Sequence, residues 1–202
     1  MEYETARVAI DVVILTVKDG VLQVYLNTRE KEPQKDYLEL PGGLLTKNET
    51  AEQTLKRKLS KILDYEDIFF QEFEVFTTPN RDPRTRTISI GYLALINQEK
   101  ITASKNWYVY SDLKKLAFDH EEIILKAIFY LKKNLNSKII KEFLPKYFPI
   151  NRLQEIYELI EEQTYDNRNF RKRIISAGIV LETNNKETNV SHRPAKLYYF
   201  NK

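Results

Sequence analysis

The sequence predicts an α+β protein in two parts: an N-terminal unit of strands with an amphipathic helix facing a sheet and a long closing helix, then a small helical unit closed by a pair of strands. Three observations carry that expectation. Runs rich in branched and aromatic residues recur between residues 6 and 110, separated by turn signals and by one amphipathic helical pattern. At residues 134–138 the polar helix end NLNSK precedes a new apolar segment, which divides the chain into residues 1–136 and 137–202. Beyond it, two helical patterns joined by a four-residue turn end at Gly178 and give way to two short strands.

Composition bounds the rest. A chain of 202 residues is comfortable for two domains of roughly 100–150 residues each. With 42% hydrophobic and 30% charged residues, no apolar run long enough to cross a membrane and no signal-peptide pattern, the protein is expected to be globular and cytoplasmic. No cysteine is present and the two histidines are far apart, so disulfides, thiolate sites and a zinc centre are not expected.

In order, residues 6–18 read as a strand, Asp19-Gly20 as a hairpin turn and residues 21–27 as the returning strand. A polar loop at residues 29–36 leads to a short strand at 37–40 and to Pro41-Gly42-Gly43, where the glycines allow a close turn. Asn48 or Thr50 can cap the following helix, whose Leu55, Leu59, Ile62 and Leu63 form one apolar stripe. Strands are expected at residues 68–77, 87–96 and 106–110, with Trp107 filling core, and a long helix at 121–135. His120, at the start of that helix, is expected to be satisfied locally beside Asp119.

The second part reads as a winged helix-turn-helix. A short helix at 139–143 ends before Pro145, and Pro149 opens the next at 151–163, with Leu153, Ile156, Tyr157 and Ile160 on one face. In the helix at 168–177, Phe170 and Ile174 should face inward, leaving Arg168, Asn169, Arg171, Lys172 and Arg173 for DNA. Strands at 179–181 and 197–200 would frame a wing that carries His192, Arg193 and Lys196. From Asp166 to Lys202 eight basic residues face three acidic ones, a balance suited to phosphates.

Two stretches carry a resemblance to a known family. LPGGLLTKNETAEQTLKRKLSKILDY, residues 40–65, resembles the Nudix box G-x5-E-x7-R-E-U-x-E-E-x-G-U, with Gly43, Glu49 and Arg57 in its first three fixed positions. Where the family places catalytic and metal-binding glutamates, this chain has Lys58, Lys61 and Ile62, and Asp64 replaces the box glycine. Positions 58, 61 and 62 share one helical face, so two ammonium groups and an aliphatic side chain stand where oxygen ligands for a hard cation would be needed. The resemblance gives Glu49 and Arg57 a structural role, as an ion pair bracing loop against helix.

RDPRTR, residues 81–86, followed by ISIGYLAL, is similar to the Nudix-related transcriptional regulators of the NrtR type and their sugar-responsive relatives. LAFDH at 116–120, NFRKR at 169–173 and RPAKLYYF at 193–200 extend that similarity over nearly the whole chain. It implies a Nudix-like α/β/α sandwich followed by a winged helix, acting as a homodimeric, ligand-responsive regulator of duplex DNA, expected to be a repressor. ADP-ribose or a related NAD metabolite would be bound by Arg81, Arg84 and Arg86 with Gly42 and Gly43, and no cofactor, metal or catalysis is expected. The alternatives are a regulator responding to arabinose or xylose, a Nudix pyrophosphohydrolase carrying a C-terminal interaction domain, and an unusual hydrolase that uses Glu52 or another acid outside the box.

Overall fold

The structure, a computed structural model, describes residues 3–60, 68–101, 105–135, 137–188, 191 and 193–201. Lys61, Ile62, Asp64 and His192 lie outside the described residues. The central element is β1 (Arg7–Lys18), which pairs in parallel with β7 (Thr87–Leu95) and antiparallel with β2 (Val21–Tyr25) and β5 (Gly42–Leu44). With β6 (Phe69–Phe76) beyond β7 and β8 (Trp107–Val109) beyond β2, this gives the order β6-β7-β1-β2-β8, with β5 off that path. Asp19 and Gly20 both take positive φ, as the tight β1–β2 turn requires.

The expected strand at 21–27 is divided. β2 stops at Tyr25, and β3 (Asn27–Thr28) instead pairs with β4 (Leu38–Glu39) in a separate ribbon. Buried Leu26 donates its N–H to the Asn106 carbonyl between the two pairings, so the chain can change partners without orphaning a backbone donor.

Period-two alternation along β1 sends side chains to both faces. Ile10, Val12 and Ile14 meet Leu55 and Leu59 of α1 (Ala51–Leu59), whereas Val13 and Leu15 meet Ile123, Ala127 and Leu131 of α2 (His120–Lys133). Hence the sandwich. Thr50 caps α1, its hydroxyl accepting from the Gln53 N–H while the Gln53 side chain accepts from the Thr50 N–H. Trp107 packs edge-on against Tyr25 at 5.5 Å within the α1-side core, as expected.

After α2, a single helical turn α3 (Ser137–Ile140) leads through β9 (Phe148–Pro149) into α4 (Ile150–Glu161) and α5 (Asn167–Ser176). β10 (Val180–Lys186) and β11 (Lys196–Phe200) then complete a three-stranded sheet in the order β10-β11-β9. β10 runs further than the apolar pattern suggested, because a register shift between Glu182 and Lys186 carries pairing into the polar stretch.

The α2-side core does not stop at the polar helix end. It continues without a break through Ile140, Phe143, Phe148, Leu153, Ile156 and Ile160 to Phe170, Ile174 and Tyr198. Ion pairs Lys132–Glu162 (3.5 Å) and Glu99–Arg152 (3.6 Å) also cross between the two parts. Truncating a fully buried ring such as Phe170, 2% exposed, should cost about 3–5 kcal/mol.

Candidate ligand cavity and nucleic-acid interface

On the α2 side of the sheet, Arg7, Ala9 and Asp11 continue the row of Val13 and Leu15 toward the beginning of β1. There the row borders a cavity of about 770 Å3, walled by residues 39–44, by the loop after β6 and by the start of α2. Five cationic side chains line it, Arg7, Arg29, Lys58, Arg81 and Arg84, against three carboxylates, Asp11, Glu39 and Asp82. That excess favours an anionic occupant.

Arg81 anchors the cavity floor. Its side chain is 5% exposed and makes a fork to Asp119, with both bonds at 2.7 Å, and a third bond of 3.1 Å to Asp11. Burial pulls the guanidinium pKa down, but the aspartates, Asp119 foremost, more than restore it, and the net shift is upward. Asp11 also accepts from the Ser89 hydroxyl at 2.6 Å. The first RDPRTR arginine therefore lines the cavity with its charge already matched.

His120 is fully buried at the same wall, and its partner is not local. Nδ1 accepts the Leu40 N–H at 2.9 Å, which places the ring proton on Nε2, 3.6 Å from Asp11. The expectation of local satisfaction beside Asp119 is corrected: folding supplies an acceptor 80 positions away to a buried N–H of the loop before β5. Burial pushes the His120 pKa below its ordinary value, against the opposing pull of Asp11, Asp119 and Glu39, so the ring is held neutral.

Arg84 is half exposed and forks onto Asp82, with bonds of 2.9 and 2.7 Å. Its guanidinium also lies 5.3 Å from the Phe118 ring, and that of Arg29 lies 4.6 Å from the same ring. Phe118 takes a φ of 53°, uncommon for a bulky residue, with its N–H donated to the Gln34 side chain at 2.7 Å. Arg29, 8% exposed, is held by Glu39 at 2.7 Å and by the Pro33 carbonyl at 2.6 Å, and its Nη2 has no hydrogen-bond partner among the described residues. Neither Arg29 nor Phe118 stood out in sequence as a ligand residue, because their meeting depends on contacts 89 positions apart. Arg86 does not line the cavity; it donates to the carbonyls of Thr77 and Thr78 and ties the loop to its own strand.

Gly42 and Gly43 line the cavity at β5. A Cβ on Gly42 would lie 2.2 Å from the Ile10 carbonyl oxygen, and Gly43 takes a φ of 146°, so neither position accepts a side chain. Behind them Glu49 receives a fork from Arg57, at 2.5 and 2.7 Å, and a bond from the Thr54 hydroxyl at 3.1 Å. The Arg57 bonds hold the Glu49 carboxyl at about 2, well below its ordinary value. This is the bracing pair that the resemblance implied.

Among the described residues, no group of three or more carboxylate or imidazole donors is placed to hold the divalent cation that the Nudix resemblance would call for. Lys58 projects from α1 to the cavity with its ammonium against Gly43, and Glu52 does not line the cavity. An ammonium there repels a hard cation instead of ligating it.

The second candidate site is α5. Asp166 caps it by accepting the Asn169 N–H at 2.9 Å, and Phe170 and Ile174 face the core. At 100° per residue the opposite face carries Arg168, Asn169, Lys172 and Ser176, all exposed. Arg171 and Arg173 flank the buried side. Arg171 donates to the Tyr198 hydroxyl at 2.7 Å, while Arg173 lies 4.6 Å from the Tyr165 ring and 5.3 Å from Phe170. In the wing, Arg193 is exposed and Lys196 pairs with Glu182. Gln154 was not singled out in the sequence; it donates to the Tyr165 carbonyl and to Asn167 at 2.9 and 2.8 Å and so fixes the turn that aims α5.

A cation-lined cavity in a Nudix-type sandwich, continuous with a winged helix that presents a basic helix face, defines a class: sensor-coupled DNA-binding regulators. Comparison with known proteins narrows it. Residues 140–200 match the NrtR DNA-binding winged helix domain. The chain is 31% identical to the ADPR responsive transcriptional repressor NtrR of Acinetobacter baylyi over 98% of its own length and 84% of that protein. Shewanella oneidensis NrtR, solved in complex with a 27mer DNA, superposes with a TM-score of 0.82 at 27% identity, covering 96% of this chain and 93% of that one. The NUDIX domain of the same protein, solved with ADP ribose, matches at a TM-score of 0.56 and 27% identity, over 64% of this chain and 90% of that domain. The chain belongs to the NrtR family of transcriptional regulators.

Proposed function

We propose that this protein is a cytoplasmic transcriptional repressor whose residues 137–202 bind duplex operator DNA and whose residues 1–136 sense ADP-ribose or a closely related NAD metabolite. The carrying observation is that one continuous core runs from Leu40 in the cavity wall to Phe170 and Ile174, the inner face of α5, so a ligand that repacks the wall can bias the helix that presents the basic face. The cavity volume suits a nucleotide-sized ligand. Its excess of cations favours a phosphorylated effector over arabinose or xylose, which are uncharged.

In this reading Arg84 meets the effector beside Phe118, Gly42 and Gly43 let it approach backbone, and Arg81 positions the wall through Asp11 and Asp119. Arg168, Asn169 and Lys172 face base edges, while Arg171, Arg173, Arg193 and Lys196 serve phosphates. Lys58 in place of a carboxylate supports a protein that binds without hydrolysing. Two copies joined through the sandwiches would present two α5 helices to half-sites one or more helical turns apart.

The test is fluorescence anisotropy of a duplex selected from a random library, titrated with ADP-ribose, NAD, arabinose and xylose. ADP-ribose or NAD should shift DNA affinity and the pentoses should not. The same protein incubated with ADP-ribose and Mg2+ should release no AMP, and sedimentation should give a dimer at micromolar concentration. Sequence-independent binding, or steady AMP release, would overturn the reading.

A further inference from the structure

Lys58 removes a metal ligand from this cavity and supplies a positive charge in the same place. Its place on the backbone is fixed from below: the Glu49–Arg57 fork and the Thr50–Gln53 capping box lock α1 to the preceding loop. The ammonium lies against Gly43, where a Cβ would be only 2.7 Å from Nζ. Gly42 and Gly43 leave this strip of backbone bare, so a ligand can reach the charge from the cavity side.

Three of the four guanidiniums that line the cavity are differently placed. Arg81 is fixed by Asp11 and Asp119, Arg84 by Asp82, and Arg29 by Glu39. Each of these three is oriented by a carboxylate from its own side of the cavity. Lys58 differs in kind and place: a lysine carries a compact charge with rotatable donors on a flexible stem, and this one lies against the bare backbone of Gly43.

We propose that Lys58 binds the phosphate portion of the effector over Gly42–Gly43, its ammonium replacing the divalent cation that a carboxylate-bearing box would recruit, so that effector binding needs no metal. This rests on the reading of the cavity as the effector site. One residue thus accounts for two properties: metal is excluded, and the pyrophosphate charge that metal would have neutralised is met by the protein itself.

Calorimetry of the full-length protein with ADP-ribose, and separately with inorganic pyrophosphate, in EDTA and in excess Mg2+, tests it. The unmodified protein should bind ADP-ribose equally well in both buffers. Lys58→Gln should weaken both probes by roughly ten- to a hundredfold, the scale of one charge-assisted hydrogen bond, and Lys58→Arg should retain most of the affinity. Tenfold tighter ADP-ribose binding in Mg2+, or unchanged affinity in a folded Lys58→Gln, overturns the proposal. The buffer comparison uses the unmodified chain and decides the matter even if a variant misfolds. If ADP-ribose does not bind but pyrophosphate binds in EDTA and is lost in Lys58→Gln, the effector assignment falls and the role of Lys58 stands. If neither probe binds the unmodified protein, both fall.

Discussion

RDPRTR at residues 81–86 and RNFRKR at 168–173 have nearly the same basic content and opposite fates. In the loop, Arg81 is buried among two aspartates, Arg84 is forked onto Asp82, and Arg86 is bound to backbone carbonyls. In the helix, Arg168 and Lys172 stand exposed on the face opposite the core, and only Arg171 and Arg173 lean back onto rings. The difference lies in what surrounds each stretch. Arg81 meets carboxylates of β1 and of the residue before α2, and Arg84 one of its own loop, whereas a helix packed by one stripe must leave its other face to solvent or to a partner.

The sharpest break in that comparison is Arg81→Ala. It would leave Asp11 and Asp119 facing one another without a cation and should cost about 3–5 kcal/mol in chemical denaturation. Lys172→Ala should leave the denaturation midpoint in place while weakening DNA binding by about 1–2 kcal/mol and relaxing the sequence preference at one position. Were Lys172→Ala to destabilise the fold as much as Arg81→Ala, the contrast would fail. Within the helix, Arg173→Ala should lose less specificity than Arg168→Ala and cost about 0.5–1 kcal/mol of stability, since it removes stacking on Tyr165 and Phe170.

Two pH effects separate the wall of the cavity from its brace. The folded-state pKa of His120 lies below the ordinary 6.5, so the unfolded chain takes up the proton first. Its contribution is complete above pH 6.5 and declines as pH falls below that value, a slope that His120→Gln should remove from a series of thermal melts. For Glu49, depressed from 4.5 to about 2, stability is present above pH 4.5 and is lost as pH falls toward 2. Glu49→Gln should flatten that acid limb, with the smallest effect of the set because the pair is partly exposed.

Much of this was legible along the chain. Strand and helix order followed from hydrophobic period. The inward pair Phe170 and Ile174 and the exposed bases around them followed from helical spacing, and the Glu49–Arg57 brace from the resemblance of the box. The sequence could not show that the core passes through the polar end of α2 into the winged helix, since a boundary read from composition says nothing about which faces later meet. Nor could it show that β2 ends at Tyr25, because its continuation has the same strand character and only pairing with Glu39 and Leu38 diverts it.

Local chemistry determined the elements, the cap at Thr50, the turn at Asp19-Gly20 and the loss of carboxylates from the box, because each depends on neighbours within a few residues. Tertiary structure alone decided which charges remain available. Arg29 over Phe118, Arg81 between Asp11 and Asp119, and His120 beneath Leu40 join groups between 38 and 89 positions apart. Electrostatic energy falls with distance in space and is indifferent to distance along the chain, so a charge read from sequence is a quantity without a partner until the fold supplies one.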